Sequence, residues 1–446
     1  MINYKWLRII RGQSMKSKRK FVGAVLVIGV VFGLAGLSEA EVIHLKVSGA
    51  KVDCFDVPVH SAIALPASFA NVPVEEIAVS LEQTSRGDMV RVTGKRIPGQ
   101  IVKGSDEKVE LWWILPRIQA SSKDGWLARL KRREKKDKDI LSWKGFSWND
   151  KKDQYLDLLF DGRKVTRYMY ALDRSTKQRV LETYKTFLHV FDAAGERLLT
   201  NGPDGLHPYM INKILYPHHR GIFIGWNRLE FEGKRYDFWH MGEQGRVQKA
   251  ERFLELTAGP VFARSNSLVH WNDKDGRTII AEQRKTTVFR QSEPTILLLD
   301  FVTELKAVSG DVFLNGDPEH AGFQYRPHDD VAKGDKDVKA TYLFHKDGID
   351  PKKDKDLPWA AMSYGLNGRR YSVLYMDYLD NPRPVIYSAY RDYGRFGAFF
   401  KKKINADDTL TLRYRIWITE GRMPEQVRLA NKYSEFVDGP KVEVVK

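Results

Sequence analysis

Leu410-Thr-Leu-Arg-Tyr-Arg-Ile-Trp-Ile-Thr419 alternates apolar and polar side chains, and that period of two decides the fold class. Leu410, Leu412, Tyr414, Ile416 and Ile418 fall on one face; Thr411, Arg413, Arg415 and Thr419 fall on the other, interrupted by Trp417. Successive side chains of an extended backbone point to opposite faces, so this is the pattern of a half-buried antiparallel strand. Residues 42–47, 89–93, 108–115, 185–191, 296–303 and 371–376 are likewise rich in β-branched and aromatic residues. Helical patterns are confined to the basic run around Ala128 and to residues 424–432. Many short strands without alternating helices predict an all-β chain of sandwich architecture rather than βαβ units. No repeat at a solenoid or propeller period is present.

The first twenty residues carry seven basic side chains and no acidic one, and an apolar run covers 21–37 before Ser38-Glu-Ala40. A basic n-region, an apolar h-region and small residues at −3 and −1 compose a secretory signal. The expected location is therefore outside the cytoplasm, periplasmic or secreted; the membrane is a partner only if the segment stays uncleaved. Cleavage after Ala40 lowers the net charge from +16 to +10, because seven basic residues and one acidic one leave. Much of the remaining excess lies in 127–138, which reads as a solvated face, so no nucleic-acid partner is expected. Cys54 is the only cysteine, which excludes an internal disulfide and a Cys-based metal site within one chain. Its apolar surroundings predict a buried, structural thiol. The domain plan is a signal peptide over 1–40, a small β module over 41–120, a basic linker over 121–145 and a β-sandwich over 146–444.

Polar functional residues gather in three places. Four of the eleven histidines fall between 207 and 240, in a Pro-, Gly- and Asn-rich stretch holding His207, His218, His219, Arg220, Asp237, Trp239 and His240. Such spacing marks loops and strand ends, where sites are commonly built. His218 and His219 are adjacent, so on an extended backbone at most one enters a given pocket. The second place is Asn315 to Arg326, where Glu319 and His320 supply a carboxylate beside an imidazole for acid–base work. The third is Tyr390-Arg-Asp-Tyr-Gly-Arg-Phe-Gly397, with Arg391, Asp392 and Tyr393 between aromatic residues and glycines. No metalloprotease, nucleophile-elbow or phosphate-loop motif occurs.

Pro217-His-His-Arg-Gly-Ile-Phe-Ile-Gly-Trp226, Asp237-Phe-Trp239, Gly316-Asp-Pro-Glu-His-Ala-Gly-Phe-Gln-Tyr-Arg326, Leu357-Pro-Trp-Ala-Ala-Met-Ser363 and Arg391-Asp-Tyr-Gly-Arg-Phe-Gly397 resemble the family labelled "methane oxygenase PmoA". That PmoA-like family is now treated as a domain of unknown function, number 6807. The resemblance runs from about residue 146 to 444 and implies an antiparallel β super-sandwich of the galactose-mutarotase-like kind. It also implies company with exported sugar-processing proteins. Sites of the mutarotase type pair a Glu base with a His acid; Glu319 with His218 or His219 would take those roles here, although the mutarotase motifs themselves are absent.

The leading expectation is an exported carbohydrate-active protein that binds a small sugar or oligosaccharide in a polar, aromatic cleft. His218, His219, Glu319 and His320 are its acid–base candidates; Arg220, Asp237, Trp239, Arg326, Arg391, Asp392 and Tyr393 are its substrate contacts. The chemistry is then of the epimerase, lyase or hydrolase type. A non-catalytic carbohydrate-binding module is the first alternative. The second is a metal site with His207, His218, Asp237 and His240 as its shell. No cofactor is clearly implied.

Overall fold

The strand at the C-terminus that opened the sequence reading spans Thr409–Glu420 and pairs on both sides, with Thr295–Ala307 and with Arg369–Asp377. The computed structural model describes residues 41–85, 88–92, 94–104, 108–133, 143–241 and 245–445; the expected signal peptide lies outside them. The chain is all-β, and every ladder between its strands is antiparallel. Among the described residues, no helix is long and apolar enough to cross a membrane.

Two eight-stranded sheets build the body, together with a four-stranded sheet of Lys234–Tyr236, Arg228–Phe231, Val312–Asn315 and Lys402–Ile404. One runs, in spatial order, Ile386–Tyr387, Phe396–Phe399, Ala321–Tyr325, Ile222–Trp226, Phe187–Val190, Arg163–Met169, Tyr155–Phe160 and Phe146–Lys151. The other runs Val247–Ala258, Phe262–Asn272, Thr278–Phe289, Thr295–Ala307, Thr409–Glu420, Arg369–Asp377, Trp359–Leu366 and Thr341–Phe344. Both contribute to a single buried cluster that includes Leu188, Ile224, Phe323, Leu299, Phe301, Tyr375 and Tyr414. Phe323 of the first sheet stacks at 4.6 Å on Tyr414 and lies 4.4 Å from Phe301 of the second. The alternation thus places the apolar face of each sheet against the other, as in a sandwich core.

One polar bolt crosses that core. Glu282, fully buried, accepts hydrogen bonds from Trp271 Nε1 (2.8 Å), Thr303 Oγ1 (2.9 Å) and the Nε (2.7 Å) and Nη2 (2.9 Å) of Arg284. Arg284 Nη1 reaches Thr186 Oγ1 at 2.7 Å, at the start of Phe187–Val190 in the opposite sheet. Every charge in the bolt is paired, which is the condition for burying one.

The module before the body is a third sheet of eight strands. Its strand Lys123–Arg132 corrects the expected linker and the expected basic helix: the residues pair with Glu41–Ser48 on one side and Ile77–Ser85 on the other. Trp126, Ala128 and Leu130 are buried there, so their alternation outweighs the charge run that suggested a solvated face. The described part of the linker is otherwise short, since 134–142 lie outside the described residues. The C-terminal strand Lys441–Val445 returns to pair with Glu41–Ser48. Gln100 Oε1 accepts from Val261 N and Phe262 N at 3.0 Å, tying the module to the body, and residues 40–446 form one compact unit. The helix Gln426–Val437 buries Leu429 near Trp417, so the second half of the strand Thr409–Glu420 is covered on both faces rather than half-buried. Cys54 is buried at the head of its strand, and burial pushes its thiol up to about 11.

Replacing Glu282 by Gln leaves Arg284 as a buried, unpaired charge, an error that costs about 3–5 kcal/mol. Denaturant unfolding is expected to show a loss of that size with an unchanged m-value. A loss below about 1 kcal/mol would contradict the role given to the bolt.

Candidate functional site

The strands Ile222–Trp226 and Ala321–Tyr325 lie side by side, Ile222 opposite Tyr325 and Trp226 opposite Ala321. Their inward residues, Ile222, Ile224, Trp226, Phe323 and Tyr325, belong to the main core. The alternation turns Phe223 and Gly225 to the other face, where Phe223 packs with Trp239 at 4.7 Å. A Cβ on Gly225 would stand 2.5 Å from the carbonyl oxygen of Phe238, so only glycine lets the segment Asp237–His240 lie directly on the strand. Phe238 N donates to Trp226 O at 2.9 Å and fixes the segment there. Gly221, with φ of +40°, turns the chain between the histidine pair and the first strand; a Cβ there would meet Leu188 O at 2.3 Å.

Three histidines converge over this pair of strands. Ligating atoms of His218, His240 and His320 all lie within 4.8 Å of one another, and all three residues are half-buried. Two of them are held by one local device, an aspartate three residues earlier. Asp237 accepts from the backbone N–H of Trp239 and of His240 at 2.8 Å through one oxygen, and from His240 Nδ1 at 2.8 Å through the other. Asp317 accepts from Glu319 N at 3.1 Å and His320 Nδ1 at 2.9 Å, and its second oxygen takes Asn227 Nδ2 at 2.7 Å. An ionised carboxylate only accepts, so each histidine donates its Nδ1–H to the aspartate and turns Nε2 away from it. Burial alone would push both aspartates up, but the hydrogen bonds outweigh it and hold them below the usual range. Burial first, then His240, Lys185, Arg326 and His320, push His218 down to about 2, so it is a neutral imidazole. Two aspartate–histidine pairs and the neutral His218 ring make a group whose donor atoms suit a transition-metal ion, with carboxylates behind two of the rings.

A second knot adjoins it. Glu319 accepts from Tyr390 Oη at 2.7 Å and from Arg391 Nη2 at 2.9 Å, and it pairs with Arg395. Burial raises its pKa, but these partners win and hold it at about 2. A carboxylate so held is a weak base, which removes Glu319 from the acid–base role and makes it the anchor of Arg391 and Arg395. Tyr216 stacks on Tyr393 at 4.5 Å and on His219 at 4.8 Å. His219 is buried, so the adjacent histidines do part: one enters the cluster and the other packs.

The family model for DUF6807, described as a family of unknown function, matches residues 155–434. The chain belongs to that family. The match spans the whole site of this DUF6807 protein, from the loop before Ile222 to the arginines after Tyr390. No curated protein matches the chain.

Of the expected site residues, the structure brings His218, Asp237, Glu319, His320, Arg391 and Tyr393 together, and it adds His240 to the inner group. Trp239, Arg220 and Arg326 lie behind the site, not on its surface. All three are buried, because the outward residues of this sheet are themselves covered by the segments that carry the histidines. Asp392 is exposed, and its backbone carbonyl accepts from Ala340 N. His207 is an exposed copy of the same local device, paired with Asp204 at 2.7 Å and absent from the cluster. Asp237 is a partner of His240 rather than a member of the shell, so the expected set His207, His218, Asp237, His240 becomes His218, His240, His320. The missed signal was the repeated spacing Asp-x-x-His at 204–207, 237–240 and 317–320.

Gly225→Ala forces Phe238 off the strand, an overpacking error of about 1–3 kcal/mol that also displaces His240. Thermal denaturation is expected to show that loss. A variant as stable as the parent would mean the segment Asp237–His240 is not seated as described.

Proposed function

We propose that this protein is an exported metal-dependent enzyme acting on a polyhydroxylated, carbohydrate-type substrate. One divalent transition-metal ion of the zinc type would be held by His218, His240 and His320. The observation that carries the reading is the convergence of three histidines, two of them with Nδ1 held by an aspartate. Among the described residues no hydrogen bond occupies Nε2 of His240 or His320. Three protein ligands leave one position open, and an ion so held polarises a substrate oxygen or lowers the pKa of water. Such chemistry supports a lyase or hydrolase reading.

The remaining parts have definite tasks. Asp237 and Asp317 fix the tautomer and orientation of two ligands. Glu319 sets Arg391 and Arg395 in place beside them. Tyr216, Tyr390 and Tyr393 are half-buried and offer aromatic edges and hydroxyls next to the cluster, a mixture suited to a sugar. A mutarotase-type mechanism loses support, because it needs Glu319 as a free base.

Metal analysis of the purified protein is expected to find about one equivalent of a divalent transition metal, or uptake of that amount on loading. Ala at His240 or His320 should reduce it to near zero, and Asn at Asp237 or Asp317 should weaken the affinity roughly 10- to 100-fold. A folded protein that takes up no zinc, cobalt, copper or iron would overturn the reading.

A further inference from the structure

A cleft of about 670 Å³ opens in the angle between the strand Ile97–Lys103 of the N-terminal module and the edge strand Val247–Ala258 of the body. None of the three histidines lines it, nor does any residue hydrogen-bonded to them. Its volume is that of a small-ligand site, and junctions between compact parts are where such sites gather. The family match begins at residue 155, so the wall carrying Gln100 and Val102 lies outside it. The module therefore completes a cleft that the body alone does not have.

Two donors are set in place along it. Gln100 is 7 % exposed, and its Oε1 is held by Val261 N and Phe262 N, while its Nε2 has no acceptor among the described residues. Arg264 lines the same cleft with 14 % of its side chain exposed. Its guanidinium lies 4.8 Å over the Phe262 ring and 5.7 Å from that of Trp112. Its Nε reaches Thr287 Oγ1 only at 3.4 Å, and its carboxylate neighbour, Glu255, stands 3.8 Å away. A mostly buried guanidinium with no close acceptor, beside an amide with free N–H groups, suits a carboxylate.

The remaining wall is aliphatic. Leu254 and Leu256, two residues apart on one face of the edge strand, are 43 % and 42 % exposed, and Val102 faces the same cleft. Among the described residues no aromatic ring lines it, so a sugar would find no stacking face there. Glu75 and Glu255 also line it and offer acceptors that a peptide's N–H groups can use and a fatty-acid tail cannot. We propose that this cleft binds the carboxyl end of a peptide chain whose last residue is aliphatic. Its carboxylate meets Arg264 and the Gln100 amide, its side chain packs on Leu254 and Leu256, and its N–H groups turn to the two glutamates. This binding is independent of the histidine centre.

The test is a calorimetric titration of the full-length mature protein in a chelating buffer, which keeps the outcome separate from any metal. The probes are acetyl-Gly-Val-Leu with a free carboxylate, the same peptide as its C-terminal amide, and octanoate. The free acid is expected to bind saturably and the amide at least about tenfold more weakly. Arg264→Gln should weaken the free acid by a similar factor, and so should Leu256→Asp, which changes a side chain already open to solvent. No binding of the free acid, or equal binding of the amide, overturns the proposal. Octanoate matching the peptide also overturns it and assigns the cleft to a fatty acid. If Arg264→Gln fails to fold, Leu256→Asp decides, because an unchanged affinity there places the peptide elsewhere and overturns the proposal.

Discussion

Two aspartates each hold the histidine three residues later by its Nδ1 proton, and the geometry of the site follows from that pairing. The bond is short, 2.8 Å for His240 and 2.9 Å for His320, and the same carboxylates accept backbone N–H groups of the turn. Ring, tautomer and loop are thereby fixed together, so the Nε2 lone pairs have no freedom to find other partners. The sheet supplies the rest. Gly225 removes the side chain that would keep Asp237–His240 off the strand, and the register of Ile222–Trp226 with Ala321–Tyr325 brings His320 up beside it. A three-histidine cluster is therefore a product of strand alternation, one close approach and two local turns.

The charges around the three histidines are unevenly paired. Glu319 is neutralised by Arg391 and Arg395, Asp237 and Asp317 stay ionised beside their imidazoles, and Arg220 and Arg326 are buried with no carboxylate partner among the described residues. Burying a guanidinium without a carboxylate is costly, and stacking on Trp239 and Tyr209 offsets only part of it.

The sequence showed the strands well because period two is a local property: Thr409–Glu420, Thr295–Ala307 and Arg369–Asp377 fall where alternating β-branched and aromatic residues predict them. It misled over Lys123–Arg132, where a dense basic run hid the alternation of Trp126, Ala128 and Leu130. The three site segments were visible as clusters of His, Asp, Glu and Arg, and the structure does bring them together. Which side chains face the site was not visible. Trp239, Arg220 and Arg326 look like ligand contacts by type, but depth in the fold depends on which segments cover the outer face of a sheet, and that is set by distant pairing. The choice between Asp237 as a ligand and Asp237 as the partner of His240 likewise needed coordinates, although the repeated Asp-x-x-His spacing carried a hint.

The central claim is that His218, His240 and His320 form one metal shell. Anomalous diffraction at the metal edge, from crystals loaded with zinc or cobalt, tests it most directly. The account predicts a single strong peak at ~2.0–2.1 Å from Nε2 of His240 and of His320, with His218 as the third ligand and both Nδ1 atoms still on their aspartates. A peak elsewhere, or loaded crystals with no peak among the three rings, would contradict it.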